Sequence, residues 1–167
     1  MADLEQTRTD PKGQLWEMLE SVNAVMLGSD GHEHMQPMSP NVARDEERIW
    51  FFTRRTTDIA KAAQSRPQVH LCVVGKDHDY HACLRGTLAL SDSPEHVDRF
   101  WNPVTGAWFE GKDDPDLTML VFTPGDAAIW ASSGSAVRFG WEVLSANMTG
   151  KEPDMGERAN ITFSVNG

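Results

Sequence analysis

The chain is assembled from short apolar and aromatic runs, none of which can bury itself alone: residues 48–53 (Arg-Ile-Trp-Phe-Phe-Thr), 69–74, 80–90, 117–123, 127–132 and 159–165. Each is rich in β-branched or aromatic residues and bounded by Gly, Pro, Asp or Ser, which is the pattern of strands that must pair to cover their faces. Two further stretches, 23–29 and 32–39, flank Asp30-Gly31, a hairpin turn signal, and the returning strand ends before Pro40. Residues 117–123 and 127–132 read as a strand pair turning at Pro124-Gly125, and Gly86 inside an apolar run predicts a bulge or a close approach of another backbone.

Helices punctuate these runs. Asp10-Pro11 supplies an N-cap followed by Pro at the first helical position, and Leu15, Met18, Leu19 and Val22 recur at helical spacing, predicting a helix over 11–22. Thr57 can cap a short helix over 58–64 that Pro67 stops, Ser93-Pro94-Glu95 opens another reaching Trp101, and 136–146 reads as helical. Six or seven strands with short helices inserted favour a mainly β barrel over a doubly wound parallel sheet. The 167 residues, 40% hydrophobic, suit one domain with its core over about 12–165. Only the ends and residues 149–157 read as loose.

Charge narrows the partners. Fifteen Lys and Arg against 25 Asp and Glu give a net charge of −10, and no basic run exceeds Arg54-Arg55, so the field repels polyanions and nucleic acid is excluded as a partner. No stretch approaches the ~20 apolar residues of a membrane span, and the N-terminal residues lack a signal-peptide pattern. Cys72 and Cys83 make no disulfide framework, although they can face each other across a sheet. Together these features predict a cytoplasmic protein.

Few residue patterns carry chemistry by themselves. His32-Glu33-His34 and His78-Asp79-Tyr80-His81 each bring two imidazoles together without a third ligand at a recognisable spacing, and read as solvated polar residues with no metal site. Ser132-Ser133-Gly134-Ser135 reads as a polar loop, and Lys112-Asp113-Asp114-Pro115 as a turn with capping carboxylates. No nucleotide-binding glycine fingerprint is present. The six tryptophans divide: Trp16 and Trp50 lie on apolar faces and belong to the core, whereas Trp101, Trp108 and Trp130 stand at element ends, where flat rings suit a subunit interface or a planar ligand.

Several segments, in order, resemble the general stress protein 26 branch of the pyridoxamine-phosphate-oxidase-like flavin-binding split barrels. They are Val25-Met26-Leu27, Gln36-Pro37-Met38, Trp50-Phe51-Phe52-Thr53, Gly86, Phe100-Trp101-Asn102, the run from Ala107-Trp108 to Asp114-Pro115, and Ile129-Trp130. The resemblance implies a six-stranded antiparallel split β-barrel of Greek-key topology, a homodimer, and flavin mononucleotide (FMN) held at the subunit interface.

It also implies a cofactor site at Gln36, Pro37, Met38, Phe52, Thr53, Arg54, Arg55, Thr57, Lys61, His81, Trp108, Lys112 and Trp130. Gln36 stands where relatives carry an arginine, and Asp58-Ile59 where they carry Arg-Lys. These differences remove two or three charge-assisted bonds to the phosphate, each worth roughly 1.5–3 kcal/mol. Arg54, Arg55 or Lys61 is placed to restore the charge. Arg138-Phe139-Gly140 lacks the histidine of a substrate-handling Arg-x-His pair, so vitamin B6 oxidation is not the expected reaction. The resemblance leaves an FMN-dependent oxidoreductase on an unknown small molecule, with no catalytic residue assigned. Its alternative is a stress-response dimer that binds flavin without turnover, or keeps the fold without the cofactor.

Overall fold

The computed structural model describes residues 1–29, 34–132 and 156–164. Local sequence signals set most of its helix starts. Asp10 accepts the Gly13 N–H at 2.9 Å and opens helix α2 (Pro11–Ser21). Thr57 accepts the Ala60 N–H at the start of α3 (Asp58–Ala63), and Ser93 precedes Pro94 at the start of α4 (Pro94–Phe100). Two helices went unread in the sequence: α1 (Leu4–Thr9), capped by Asp3, and α5 (Pro103–Gly106), capped by Asn102. The first end is therefore not loose, since the Thr7 hydroxyl meets Gln14 Oε1 at 2.6 Å in a buried contact between α1 and α2.

Among the described residues eight strands follow the antiparallel pattern expected: β1 (Val25–Ser29), β2 (Gln36–Met38), β3 (Asn41–Ala43), β4 (Arg48–Arg54), β5 (Gln68–Val74), β6 (Tyr80–Ser91), β7 (Leu117–Ser132) and β8 (Gly156–Thr162). Eight stand where the resemblance implied six, and the strands read from the sequence are corrected at two places. Asn41–Ala43 pairs with Arg48–Trp50 as a short extra strand. Residues 117–132 form one continuous strand, where a pair turning at Pro124-Gly125 was expected. Pro124-Gly125 makes a bulge in place of a turn: Arg85 opposes Asp126, while Gly86 opposes Pro124, leaving Gly125 unmatched. A one-residue insertion flips side-chain parity. Leu120 and Phe122 point into the core on one side of the bulge, and Ala127, Ile129 and Ala131 on the other. Gly86 is required there because a Cβ would stand 2.2 Å from the Thr123 carbonyl oxygen.

The strand path runs β2-β1-β5-β6-β7-β4-β3, with β8 pairing β7 off the path. β5, β6 and β7 are consecutive and β4 lies beside β7, which is a Greek-key arrangement. If flat, the six intervals of the path would hold β2 and β3 about 29 Å apart. Yet Met38 and Asn41 are joined by a two-residue link that reaches at most about 11 Å. The sheet must therefore curl, and it closes on itself at the unpaired β2/β3 seam. Leu27, Phe51, Leu71, Leu84, Leu88, Leu120, Phe122 and Ile129 fill the interior. Leu15, Trp16 and Leu19 of α2 join that core, and Trp16 meets Phe163 edge-on at 5.7 Å.

The outer face divides in two. Over β3, β4 and the first half of β7, α4 packs Val97 and Phe100 onto Ala43, Trp50 and Met119. Over β1, β5, the first half of β6 and the second half of β7, nothing described in the chain covers the sheet, and Met26, Val74 and Trp130 are 41%, 45% and 43% exposed. No helix among the described residues is long and apolar enough to cross a membrane. The Asp30-Gly31 turn, His32, the serine-rich loop from 133, the predicted 136–146 helix with Arg138 and Trp141, and most of 149–157 lie outside the described residues. Gly156 and Glu157 open β8.

Candidate cofactor site

The aromatic strand β4 ends by delivering its hydroxyl and cations to one corner of the barrel. Thr53 is nearly buried, and its Oγ1 lies 3.1 Å from Thr57 Oγ1. Thr57 donates its own hydrogen to the Arg54 carbonyl at 2.8 Å. Thr53 must therefore be the donor of the pair, and a rotation about its Cβ–Oγ1 bond frees that hydrogen for a ligand. The half-buried Gln36 and Met38 and the exposed Pro37 pair with Leu27, Val25 and Met26 of β1, at the other end of the strand path from β3, and no described contact joins them to Thr53. Phe52 stacks edge-on against Trp101 at 6.0 Å, on the outer side of the same strand.

The cations at this corner are each engaged by a carboxylate. Arg54 bonds Asp116 at 3.1 Å and the Trp108 carbonyl at 2.5 Å, with its guanidinium 5.1 Å from the Phe109 ring. Arg55 bonds Asp92 at 2.7 Å and the Pro115 carbonyl at 3.2 Å. Lys61 meets Asp58 at 3.4 Å, and Lys112 meets Asp98 at 2.5 Å. The Asp92 carboxyl is held below the usual carboxylate range, first by its hydrogen bond from Arg55 and then by the one from Thr118. Asp114 is lowered by backbone N–H groups of Asp116 and Glu110, the turn role its sequence predicted.

Two open clefts flank the 114–115 turn. One, of about 540 Å³, takes in Arg55, Asp92, Lys112 and Met119. The other, of about 430 Å³, takes in Arg54, Trp108 and Phe109, with Trp108 71% exposed. Arg54 and Trp108 thus share one cleft and Arg55 and Lys112 the other, while Thr53 and Thr57 flank Arg54-Arg55 in the chain and line neither cleft.

His81 and Trp130 form a separate group. They are direct cross-strand partners on the bare outer face, next to exposed Val74, and Arg158 of β8 lies over the Trp130 ring at 5.5 Å. A planar ring with a cation above it and a histidine beside it is a surface for a flat heterocycle. Arg158 went unread because its pairing with Trp130 comes from the β7–β8 register, 28 residues apart in the chain. Asp92 and Asp116 went unread for the same reason.

The pyridoxamine 5'-phosphate oxidase-like family model matches residues 10–154. The chain belongs to that family. General stress protein 26 of Bacillus subtilis (strain 168) is 28% identical over 123 residues, covering 70% of this chain and 86% of that protein. A solved structure provisionally named as a general stress protein 26 from Jannaschia sp. CCS1 is 38% identical, with a TM-score of 0.78 over 92% of this chain and 99% of its own. The general stress FMN/FAD binding protein of Xanthomonas citri is 36% identical, with a TM-score of 0.69 over 73% of this chain and 89% of that one. These relatives are in keeping with the split-barrel reading of the sheet and place this family member in the general stress group.

Proposed function

We propose that this family member binds flavin mononucleotide in a groove between two copies of the chain, and that the bound dimer is an oxidoreductase on a small molecule. The observation that carries the reading is the separation of the candidate residues into two groups. Thr53, Thr57, Arg54, Arg55 and Lys61 gather at the end of β4, whereas His81 and Trp130 lie on the bare face, and a second copy docked on that face supplies the missing half of each site. The exposed Met26, Val74 and Trp130 give such a contact an apolar centre. The Xanthomonas citri relative, named for FMN/FAD binding, supports a flavin as the ligand.

The residues present fit that ligand once their own partners are displaced. Arg54, Arg55 and Lys61 are paired on the surface, where an ion pair is worth only about 0–1 kcal/mol. Charge-assisted bonds to a phosphate dianion are stronger, and Thr53 can turn its hydroxyl toward it. Trp130, with Arg158 above it and His81 beside it, would stack against the ring and order it. When bound, a flavin supplies hydride and single-electron chemistry, and the chain's part is to orient it and to admit or exclude a second molecule.

Titration of the purified protein with FMN and with riboflavin, followed by visible absorbance and tryptophan quenching, tests the reading. FMN binding about tenfold or more tighter than riboflavin is expected from a site that engages the phosphate. Absence of binding to either would leave the second reading, a dimer that keeps the fold without a cofactor. What favours that alternative is the pairing of Arg54, Arg55, Lys61 and Lys112 with Asp116, Asp92, Asp58 and Asp98. Oxidation of a reduced nicotinamide by the flavin-loaded dimer, in the presence of an acceptor, separates the oxidoreductase from a binder without turnover.

A further inference from the structure

Cys72 on β5 and Cys83 on β6 are direct cross-strand partners, both free and both half-exposed. The Cys72 thiol donates to Cys83 Sγ at 3.5 Å. Neither sulfur belongs to the core, because Leu71, Val73, Ala82 and Leu84 take the inward positions on the same strands. Their row on the outer face continues to Met26 on one side and Ala128 on the other. Two thiols in contact across a ladder, away from the packed interior, are not accounted for by packing.

We propose that Cys72 and Cys83 form a redox-active dithiol, which a hydroperoxide oxidises to a cross-strand disulfide and a low-molecular-weight thiol reduces again. The register already sets the two residues opposite each other, so closing the bond needs no slip of the strands. The desolvation of Cys72, beside its contact with Cys83, distinguishes the two sulfurs. Cys72 keeps its hydrogen, and burial, followed by the hydrogen bond to Cys83, pushes its thiol up to about 11. Cys83, the acceptor, is assigned as the sulfur that attacks; Arg85, two residues along on the same face of β6, is itself held by Asp126 at 2.7 Å.

In the first step a Cys83 S–O bond forms as the peroxide O–O bond breaks. The thiol proton leaves with the alcohol, or with water when the oxidant is hydrogen peroxide. In the second, the Cys72 sulfur attacks Cys83, the S–S bond forms, the S–O bond breaks and the departing hydroxide takes the Cys72 proton as water. Two thiols lose two electrons in all, and the peroxide gains them. Reduction reverses this through a mixed disulfide with the added thiol.

The inference does not depend on flavin, so flavin-free protein is the material for its test. Because the pair lies on the face proposed for the second copy, monomer and dimer fractions are separated by size and each is treated with hydrogen peroxide, alkylated with iodoacetamide and digested for mass spectrometry. The expected result is a 72–83 disulfide within one chain, two hydrogens lighter than the reduced peptides and reopened by glutathione. In Cys72→Ser, Cys83 collects a sulfenic acid that dimedone traps about tenfold faster than it traps Cys72 in Cys83→Ser. Thiols that stay alkylatable in both fractions, or disulfides formed only between chains, overturn the proposal. Equal trapping in the two variants overturns the assignment of Cys83 as the attacking sulfur.

Discussion

One sheet has two unlike outer faces, and the contrast explains how the molecule divides its work. On the half formed by β3, β4 and the start of β7, α4 is laid down as a cover. Trp50 is 3% exposed there, and its ring stacks on His96 at 3.8 Å. His96 is held in turn by Ser93 at 2.9 Å and by Glu46 at 2.9 Å, and Arg99 of the same helix bonds Asp45 and Glu46. The other half carries Met26, Val74 and Trp130 in the open with Cys72 and Cys83 half-exposed between them, although its inward residues are as apolar as those of the first. Among the described residues, the same alternation thus yields a surface that a helix covers on one half and a surface that none covers on the other. Apolar side chains left open among the described residues of that sheet face are what the proposed second copy would cover.

The largest expected effect lies on the covered half. Trp50→Ala should cost about 3–5 kcal/mol of unfolding free energy, measured by urea denaturation, because it empties the space under α4. A loss near zero would mean that α4 rests on the sheet without packing against it. Next comes the hinge between the halves. Gly86→Ala forces a Cβ against the Thr123 carbonyl, and a loss of roughly 1–3 kcal/mol is expected. Unchanged stability would show that the bulge has room to relax.

A third effect concerns the site corner. Thr53→Val removes the hydroxyl that can turn to a phosphate, and should weaken FMN by about 0.5–1.5 kcal/mol while leaving riboflavin unchanged in the same titration. Equal losses for both ligands would move the phosphate away from Thr53. On the bare half, Val74→Ser should change the unfolding free energy of the monomer by no more than about 0.5 kcal/mol, yet lower the mass seen by light scattering at a fixed protein concentration. If instead it destabilises as Trp50→Ala does, the two faces are not different in kind.

The smallest effect is one of pH. Asp45 and Asp92 both sit below the usual carboxylate range, chiefly through hydrogen bonds from Arg99 and from Arg55. The folded state favours their ionised forms, so their contribution is present above the ordinary value near pH 4 and is lost as pH falls through the lowered folded values. Tryptophan fluorescence should therefore report loosening of the covered half below about pH 4. Arg99→Ala should make that response shallower, and an unaltered profile would remove Asp45 from the account.

Local chemistry made much of this legible in advance. The Asp10, Thr57 and Ser93 helix starts, the β5 and β6 runs, the burial of Trp16 and Trp50, the exposure of Trp108 and the meeting of Cys72 with Cys83 all follow from signals a few residues long or from strict alternation. The errors share a cause. Pro124-Gly125 carries a turn composition, and whether it turns or bulges depends on β6 and β4 already holding both flanks of β7. Asn41–Ala43 is too short to announce a strand and becomes one only because the Arg44–Glu47 turn folds it onto β4. At the site, Thr53, Arg54 and Trp108 were named from the chain, whereas Asp92, Asp116 and Arg158 were not, since each reaches its partner across at least 28 residues.

The order of apolar runs and caps alone determined that this chain makes an antiparallel, mainly β fold with short helices between strands, because those signals act over one turn or one pleat. Closure of the sheet at the β2/β3 seam, the carboxylates that neutralise Arg54 and Arg55, and the division of the outer face into a covered and a bare half were decided only in three dimensions. They depend on which distant strands become neighbours, and that is fixed by the joint burial of the core and not by any residue's immediate sequence.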